Sequence, residues 1–381
     1  MHILFDLRTI KVLSTADQIY LAAVVDSLLP ALEEKDRITV ILRQGTDLPF
    51  NKIEHPSVLY LISSPDARTR VGFRELCRII RRMHPDIYWS ADPLTRPPRR
   101  KRFGPKIIYS VPEILHLCDS RRFSLRERLQ WHIFARSHLA AADALFTPNT
   151  TVANELRTRL IPDLRGIVHT VSNGIHPLFR THTEDEITRV RTRYHIPQRY
   201  IIMFGRAIGN HNLATPLRAL GGPDEVTSAA CVIVGDNPPS PELRRLVRES
   251  HLEGMVHFFD FDELPPADFS AIISGATALA EPSVRPDFLP SVGAGTACGT
   301  PVICAATPWN RELFGDAVQR LHPTDASEWA KVITALTLSL DFRERCIVRG
   351  LAFAAKHTWT ATVRQTFGFA RELIAASPER F

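Results

Sequence analysis

Tyr200-Ile-Ile-Met-Phe-Gly-Arg206 is an apolar run closed by a glycine and a cation, and Ala230-Cys-Val-Ile-Val-Gly-Asp236 repeats the pattern after a helical stretch from Asn212. Continuous rather than alternating hydrophobicity is what a strand buried on both faces requires, so these runs point to a parallel sheet covered by helices. Val256–Phe259, Ala278–Ala280 and Pro301–Cys304 continue the series, with further helices from Pro241, Asp268 and Ser291. Ser240-Pro241-Glu242 is a sound helix start, because the serine hydroxyl caps free amides and proline suits the first turn. Toward the N-terminus the same rhythm places strands at Ile3–Phe5, Ile38–Leu42, Val58–Ile62, Ile87–Trp89, Ile107–Ser110, Ala144–Thr147 and Ile167–Val171. After the first of these, Val25, Leu28, Leu29 and Leu32 share one helical face. The class is α/β, with two doubly wound sheets.

Between Asn173 and Tyr200 the rhythm breaks: Gly174 and Pro177 mark a linker, and the charged stretch from Thr181 to Tyr194 reads as one exposed helix. Two domains are expected, 1–173 and 174–381, since a chain of 381 residues exceeds what one core usually serves. Two doubly wound sheets present the carboxyl ends of their strands to a central cleft, the default ligand site.

Composition narrows the class. Lys and Arg number 47 against 41 Asp and Glu, a formal charge of +6, and 44% apolar with 23% charged residues excludes disordered, collagen-like and coiled-coil chains. The most apolar helical stretch, Leu21 to Leu32, is interrupted by Asp26 and Pro30, and no run approaches the roughly 20 residues that span a bilayer. Met1-His-Ile-Leu-Phe5 reaches Asp6 and Arg8 at once and reads as a buried first strand rather than a leader. Six scattered cysteines without C-x-x-C argue against a metal cluster or a disulfide framework and for a reducing cytoplasm. Arg96, Arg99, Arg100, Lys101, Arg102 and Lys106, then Arg121, Arg122, Arg126 and Arg128, suit a phosphorylated substrate or an anionic membrane surface, and equally a solvated loop. Nucleic acid has only this cluster behind it and is not expected as a partner.

Three strand ends suit a phosphate ligand: Gly205-Arg206, Gly235-Asp236 and Ala297-Cys298-Gly299-Thr300-Pro301. Glycine lets backbone approach a ligand closely, and Arg206 offers a planar fork of donors for phosphate oxygens. Ser291 and Thr296 are further donors on a helix whose N-terminus attracts anions.

With Asp6-Leu-Arg8, Ala142-Asp143-Ala144-Leu-Phe-Thr147, Ser172-Asn173-Gly174-Ile175, Glu281-Pro282-Ser283 and His357-Thr-Trp359, these segments resemble the retaining GT-B glycosyltransferases, the nucleotide-sugar-dependent group that includes mannosyl- and glucosyltransferases. The resemblance runs nearly end to end. It implies an acceptor-side first domain, a nucleotide-sugar-side second domain, and a last helix, about residues 360–381, that crosses back onto the first. It also implies metal-independent transfer of a hexose with retention, from UDP- or GDP-hexose to a glycan or lipid-linked acceptor, with no cofactor beyond that donor; the cysteines and the basic cluster place it in the cytoplasm or on the inner face of the membrane. On this basis Arg206 and His211 face the diphosphate and Glu281 offers a catalytic carboxylate. Ser14, Thr15, Gly205, Gly235, Asp236, Phe259, Asp260, Asp287, Phe288, Leu289 and Ser291 would line the donor.

Matched residue by residue, the resemblance departs at the site. His211 stands where the family has a lysine, Pro286 and Ala294 where it has two glutamates, Ser14-Thr15-Ala16 where it has a glycine-rich turn, Val111-Pro112 where it has His-Asp, and Asp260 where it has glycine. Framework positions such as Asp143, Asn173, Gly174, Pro282, Gly299, Pro301 and Trp359 are intact. A second reading follows, a non-catalytic homologue that binds a glycan, a nucleotide or a catalytic partner subunit. The substitute carboxylates have ordinary alternatives: Glu281 can accept hydrogen bonds from a helix start, Asp287 can be a turn residue and Glu113 a solvated charge. His116, between two leucines, reads more readily as packed than catalytic.

Overall fold

The structure is a computed structural model that describes residues 1–9, 23–24, 27–45, 54–98, 104–111, 124–162, 166–205, 211–222, 229–235, 237–260, 263–284 and 290–376. The chain divides into two compact units, the first holding residues 1–174 with the last helix, Trp359–Ala375, and the second lying between Ile175 and Thr358.

Among the described residues the first unit is a seven-stranded parallel sheet: β1 (His2–Asp6), β2 (Arg37–Arg43), β3 (Val58–Ser63), β4 (Ile87–Ser90), β5 (Lys106–Ser110), β6 (Ala144–Thr147) and β7 (Ile167–Thr170), in the order β3-β2-β1-β4-β5-β6-β7. Side chains alternate across a strand, so each strand feeds two cores. Ile3 and Phe5 join Ile38, Val40 and Trp89 on one face, while Leu4 joins Ile41, Tyr88 and Tyr109 on the other. Of the helical face read after β1, Leu28 is buried and Leu32 packs on the same core, while Val25 lies outside the described residues.

The last helix belongs to this unit because of what it buries. Trp359, Val363, Phe367 and Ala370 recur at helical spacing and enter the core of Phe5, Trp89 and Phe146, with the Phe367 and Trp89 rings 6.2 Å apart. Thr362 Oγ1 donates to the Ser172 carbonyl at 2.8 Å. Near its end, Arg371 Nη2 donates to Asp36 Oδ2 at 2.5 Å and to the Ala31 carbonyl at 3.2 Å.

Among its described residues the second unit has six parallel strands, β8 (Tyr200–Phe204), β9 (Ala230–Gly235), β10 (Val256–Asp260), β11 (Ala278–Glu281), β12 (Val302–Ala305) and β13 (Gln319–Leu321), ordered β10-β9-β8-β11-β12-β13. The uninterrupted run 200–204 is explained by two-sided burial: Tyr200, Ile202 and Phe204 enter one core, Ile201 and Met203 the other. Ser240 caps the helix Pro241–Glu249, its hydroxyl accepting from the Leu243 amide at 3.2 Å. The charged stretch before β8 forms the helix Glu184–Arg193, closed at its start by a reciprocal cap between Thr183 and Glu186. That cap holds the Glu186 carboxyl down at about 2, first through the Thr183 amide and then through Arg180. The unit begins and ends at one place, since the Ile175 amide donates to the His357 carbonyl at 2.7 Å and Ile175 bridges Thr358.

Candidate functional site

In a doubly wound sheet, ligands bind beyond the carboxyl ends of the strands where the strand order reverses. In the second unit that reversal lies between β8 and β11. Gly205 follows β8 with φ of +120°, and its amide donates to the Val234 carbonyl at 3.1 Å. A Cβ on Gly205 would come within 2.8 Å of His211 Nδ1, and one on Gly235 within 2.4 Å of the Gly205 carbonyl oxygen. The two glycines are therefore required by crowding at the strand ends, and His211 lies directly against the first of them.

Asn212, whose left-handed φ of +51° is one that asparagine tolerates, fastens this edge together. Its Nδ2 donates to the Pro323 carbonyl at 2.6 Å and the Pro282 carbonyl at 3.4 Å, while Thr215 Oγ1 donates to Pro323 at 2.8 Å. The loops after β8, β11 and β13 are thus joined. A parallel tie links the loops after β9 and β10: Asn237 Nδ2 donates to Glu263 Oε2 at 2.9 Å, and the same oxygen accepts from the Asp260 amide at 3.0 Å. Phe259 is half-buried and packs edge-on against Tyr194, ring centroids 5.8 Å apart.

Glu281 ends β11 and is only 4% exposed. Its Oε1 accepts from the Ser283 hydroxyl and, at 3.3 Å, from the Ser283 amide, and its Oε2 accepts from the Ser291 hydroxyl at 2.6 Å. Burial pushes the carboxyl up, and the hydrogen bonds from Ser283 and Ser291 pull it part of the way back. Both oxygens are engaged, so Glu281 clasps the end of its strand to the first turn of the helix Pro290–Ala297. Ala294, where the family has its second glutamate, is buried in the core, and Thr296 Oγ1 donates to its own helix at the Gly293 carbonyl, 2.9 Å away. Ser14, Thr15, Arg206, Asp236, Asp287, Phe288 and Leu289, with Glu113 and His116, lie outside the described residues. Sequence reasoning passed over Asn212 as a site residue, although asparagine is one of the few residues other than glycine that tolerate left-handed backbone.

The first unit reverses between β1 and β4, and there the space is occupied by charge. Arg8 Nε and Nη2 donate to Asp6 Oδ1 and Oδ2 at 2.8 and 2.6 Å, Arg8 Nη1 donates to the Gly72 carbonyl at 2.9 Å, and Tyr88 Oη donates to Asp6 Oδ2 at 3.0 Å. Both side chains are almost wholly buried. Burial and then Asp6 push the Tyr88 hydroxyl well above its ordinary range. Among the described residues there is no cluster of three or more His, Cys, Asp or Glu suited to a metal ion, and no helix long and apolar enough to cross a membrane.

No curated protein matches the chain in sequence. Residues 186–351 match the family model for glycosyl transferases group 1. Among solved structures, sucrose-phosphate synthase from Thermosynechococcus elongatus aligns over 99% of this chain and 100% of its own at TM-score 0.73 and 16% identity. A glycosyltransferase from Rickettsia africae aligns over 99% of both chains at TM-score 0.72 and 14% identity. HepE from Anabaena, solved in complex with UDP and glucose, aligns over 98% of this chain and 99% of its own at TM-score 0.68 and 16% identity. The chain therefore has the fold of the GT-B glycosyltransferases, and most of its second unit matches the glycosyl transferases group 1.

Proposed function

We propose that the protein is a retaining, metal-independent glycosyltransferase that moves a hexose from UDP- or GDP-hexose to a glycan or lipid-linked acceptor, with its donor site on the carboxyl edge of the second sheet. The observation that supports this most is the edge between β8 and β11, where Gly205, His211 and Asn212 are gathered within the segment that matches the family. The binding of UDP by a protein of the same fold, HepE, agrees with it. As the glycosidic bond breaks, charge builds on the leaving diphosphate, and Arg206, with His211 when protonated, offsets it. The leaving phosphate then takes the acceptor's proton. Glu281 acts by holding the β11 loop rather than by touching substrate. Arg206→Ala should lower turnover by about 10²- to 10³-fold, measured as nucleotide release from UDP- and GDP-hexoses; unchanged turnover would overturn the assignment.

One observation favours a second reading. The buried Ala294 leaves no carboxylate at the second glutamate position, which fits a homologue that binds nucleotide or glycan without transfer. Calorimetric binding of UDP or GDP without turnover by the unaltered chain selects that reading.

We also propose an anionic membrane surface as a partner of the first unit. The continuous helix 125–140 buries Trp131, Ala135 and Leu139 but leaves Leu125, Leu129, Ile133 and Phe134 between 52% and 78% exposed, beside Arg126, Arg128 and Arg136. Apolar side chains flanked by arginines suit insertion at a headgroup boundary. Sedimentation with anionic vesicles should fall at least about tenfold in Leu129→Glu/Ile133→Glu; equal sedimentation of variant and parent would refute it.

A further inference from the structure

The second unit carries a pocket of about 300 Å³ on its other flank, beside the edge strand β13. Thr307, Arg311, Asp316, Gln319, Arg320 and Arg349 line it. Among the described residues the charges do not balance, for three guanidinium groups face one carboxylate. That carboxylate is a weak partner: Asp316 is 88% exposed and stands 3.6 Å from Arg320 Nη2. Arg320 Nη1 is buried with no hydrogen-bond partner among the described residues. A buried donor on a charged group without an acceptor is costly, and a bound anion is one group that supplies the acceptor.

We propose that this pocket is a binding site for the phosphate group of a small molecule, lined by other residues than the β8–β11 reversal and independent of the transfer reading. Three arginine forks offer more donors than the two oxygens of a carboxylate can accept, whereas a phosphate monoester carries three acceptor oxygens and close to two negative charges. Thr307 adds a hydroxyl: its Oγ1 accepts from the Asn310 amide at 3.2 Å, which leaves its proton to donate. Gln319 is already committed, since its Nε2 donates to Cys346 Sγ at 3.4 Å, so it shapes the wall. The volume accommodates a phosphate with a sugar-sized remainder.

Thermal unfolding in about 10 mM inorganic phosphate, a hexose phosphate or the parent hexose, against chloride at matched ionic strength, tests the site. Both phosphates should raise Tm by about 2 to 4 °C and the hexose should not. A larger rise with the hexose phosphate assigns the site to an organic phosphate, and equal rises assign it to free phosphate. Arg311→Ala/Arg349→Ala replaces two exposed side chains without opening the core; it should abolish the phosphate response and preserve the response to UDP. Arg206→Ala should do the reverse, so failure here and failure of the donor site are told apart. A phosphate response that survives the double variant, that disappears in Arg206→Ala, or that is absent from the unaltered chain overturns the proposal.

Discussion

Between β1 and β4 the first unit seals its switch point with charge, Arg8 meeting Asp6 through both carboxylate oxygens and the Gly72 carbonyl taking a third donor. Between β8 and β11 the second unit has glycine at the strand ends, a histidine lying on one of them, and a buried carboxyl whose described partners are hydroxyls and an amide. The same topology thus gives one reversal whose polar groups satisfy each other and one whose strand ends are crowded around glycines. A compensated pair needs no ligand. A carboxyl without a cation among its described partners, beside strand ends that only glycine fits, is where an arriving group changes the balance most.

The largest effect should come from breaking the sealed reversal. Arg8→Ala leaves Asp6 buried without its cation, which should cost about 3 to 5 kcal/mol in urea denaturation. Removing both charges with Asp6→Asn/Arg8→Met should cost distinctly less, because no unpaired ion remains. If Arg8→Ala stays within about 1 kcal/mol of the parent, the seal is not structural and the contrast fails.

A smaller effect, with a definite sign, belongs to the other reversal. The folded chain holds the Glu281 proton more tightly than the unfolded chain, so stability falls as pH rises from the ordinary carboxylate range through the raised value. Glu281→Gln should remove that slope and change neutral stability by no more than about 1 kcal/mol, since the amide oxygen still accepts on one side and the amide nitrogen can donate to a serine oxygen on the other. Denaturation curves from about pH 4 to about pH 7 should therefore diverge between parent and variant. Parallel curves would show that burial does not raise the carboxyl.

Much of this architecture is legible in the residues, because two-sided burial writes itself as unbroken apolar runs such as 200–204 and 230–234. The Ser240 cap is legible for a related reason, as its chemistry is local. Strand β13, Gln319-Arg-Leu321, left no apolar trace because it is three residues long and only Leu321 is apolar and buried. Glu281 shows the limit for sites. Its type and position invite a catalytic role, while its state depends on Ser291, ten residues away in sequence and 2.6 Å away in space. Asp6 and Arg8 stand out as a motif, yet their burial is set by Gly72 and Tyr88, which no spacing rule connects to them.

The pairing of Ile175 with Thr358 makes the second unit an insertion in the first, with consequences for the order in which the protein is built. During synthesis, the face formed by Phe5, Trp89 and Phe146 leaves the ribosome long before Trp359, Val363 and Phe367, the side chains that will cover it. The inserted unit can complete its own sheet first. Until the final helix emerges, the nascent first unit carries an uncovered aromatic surface that must be kept from other chains.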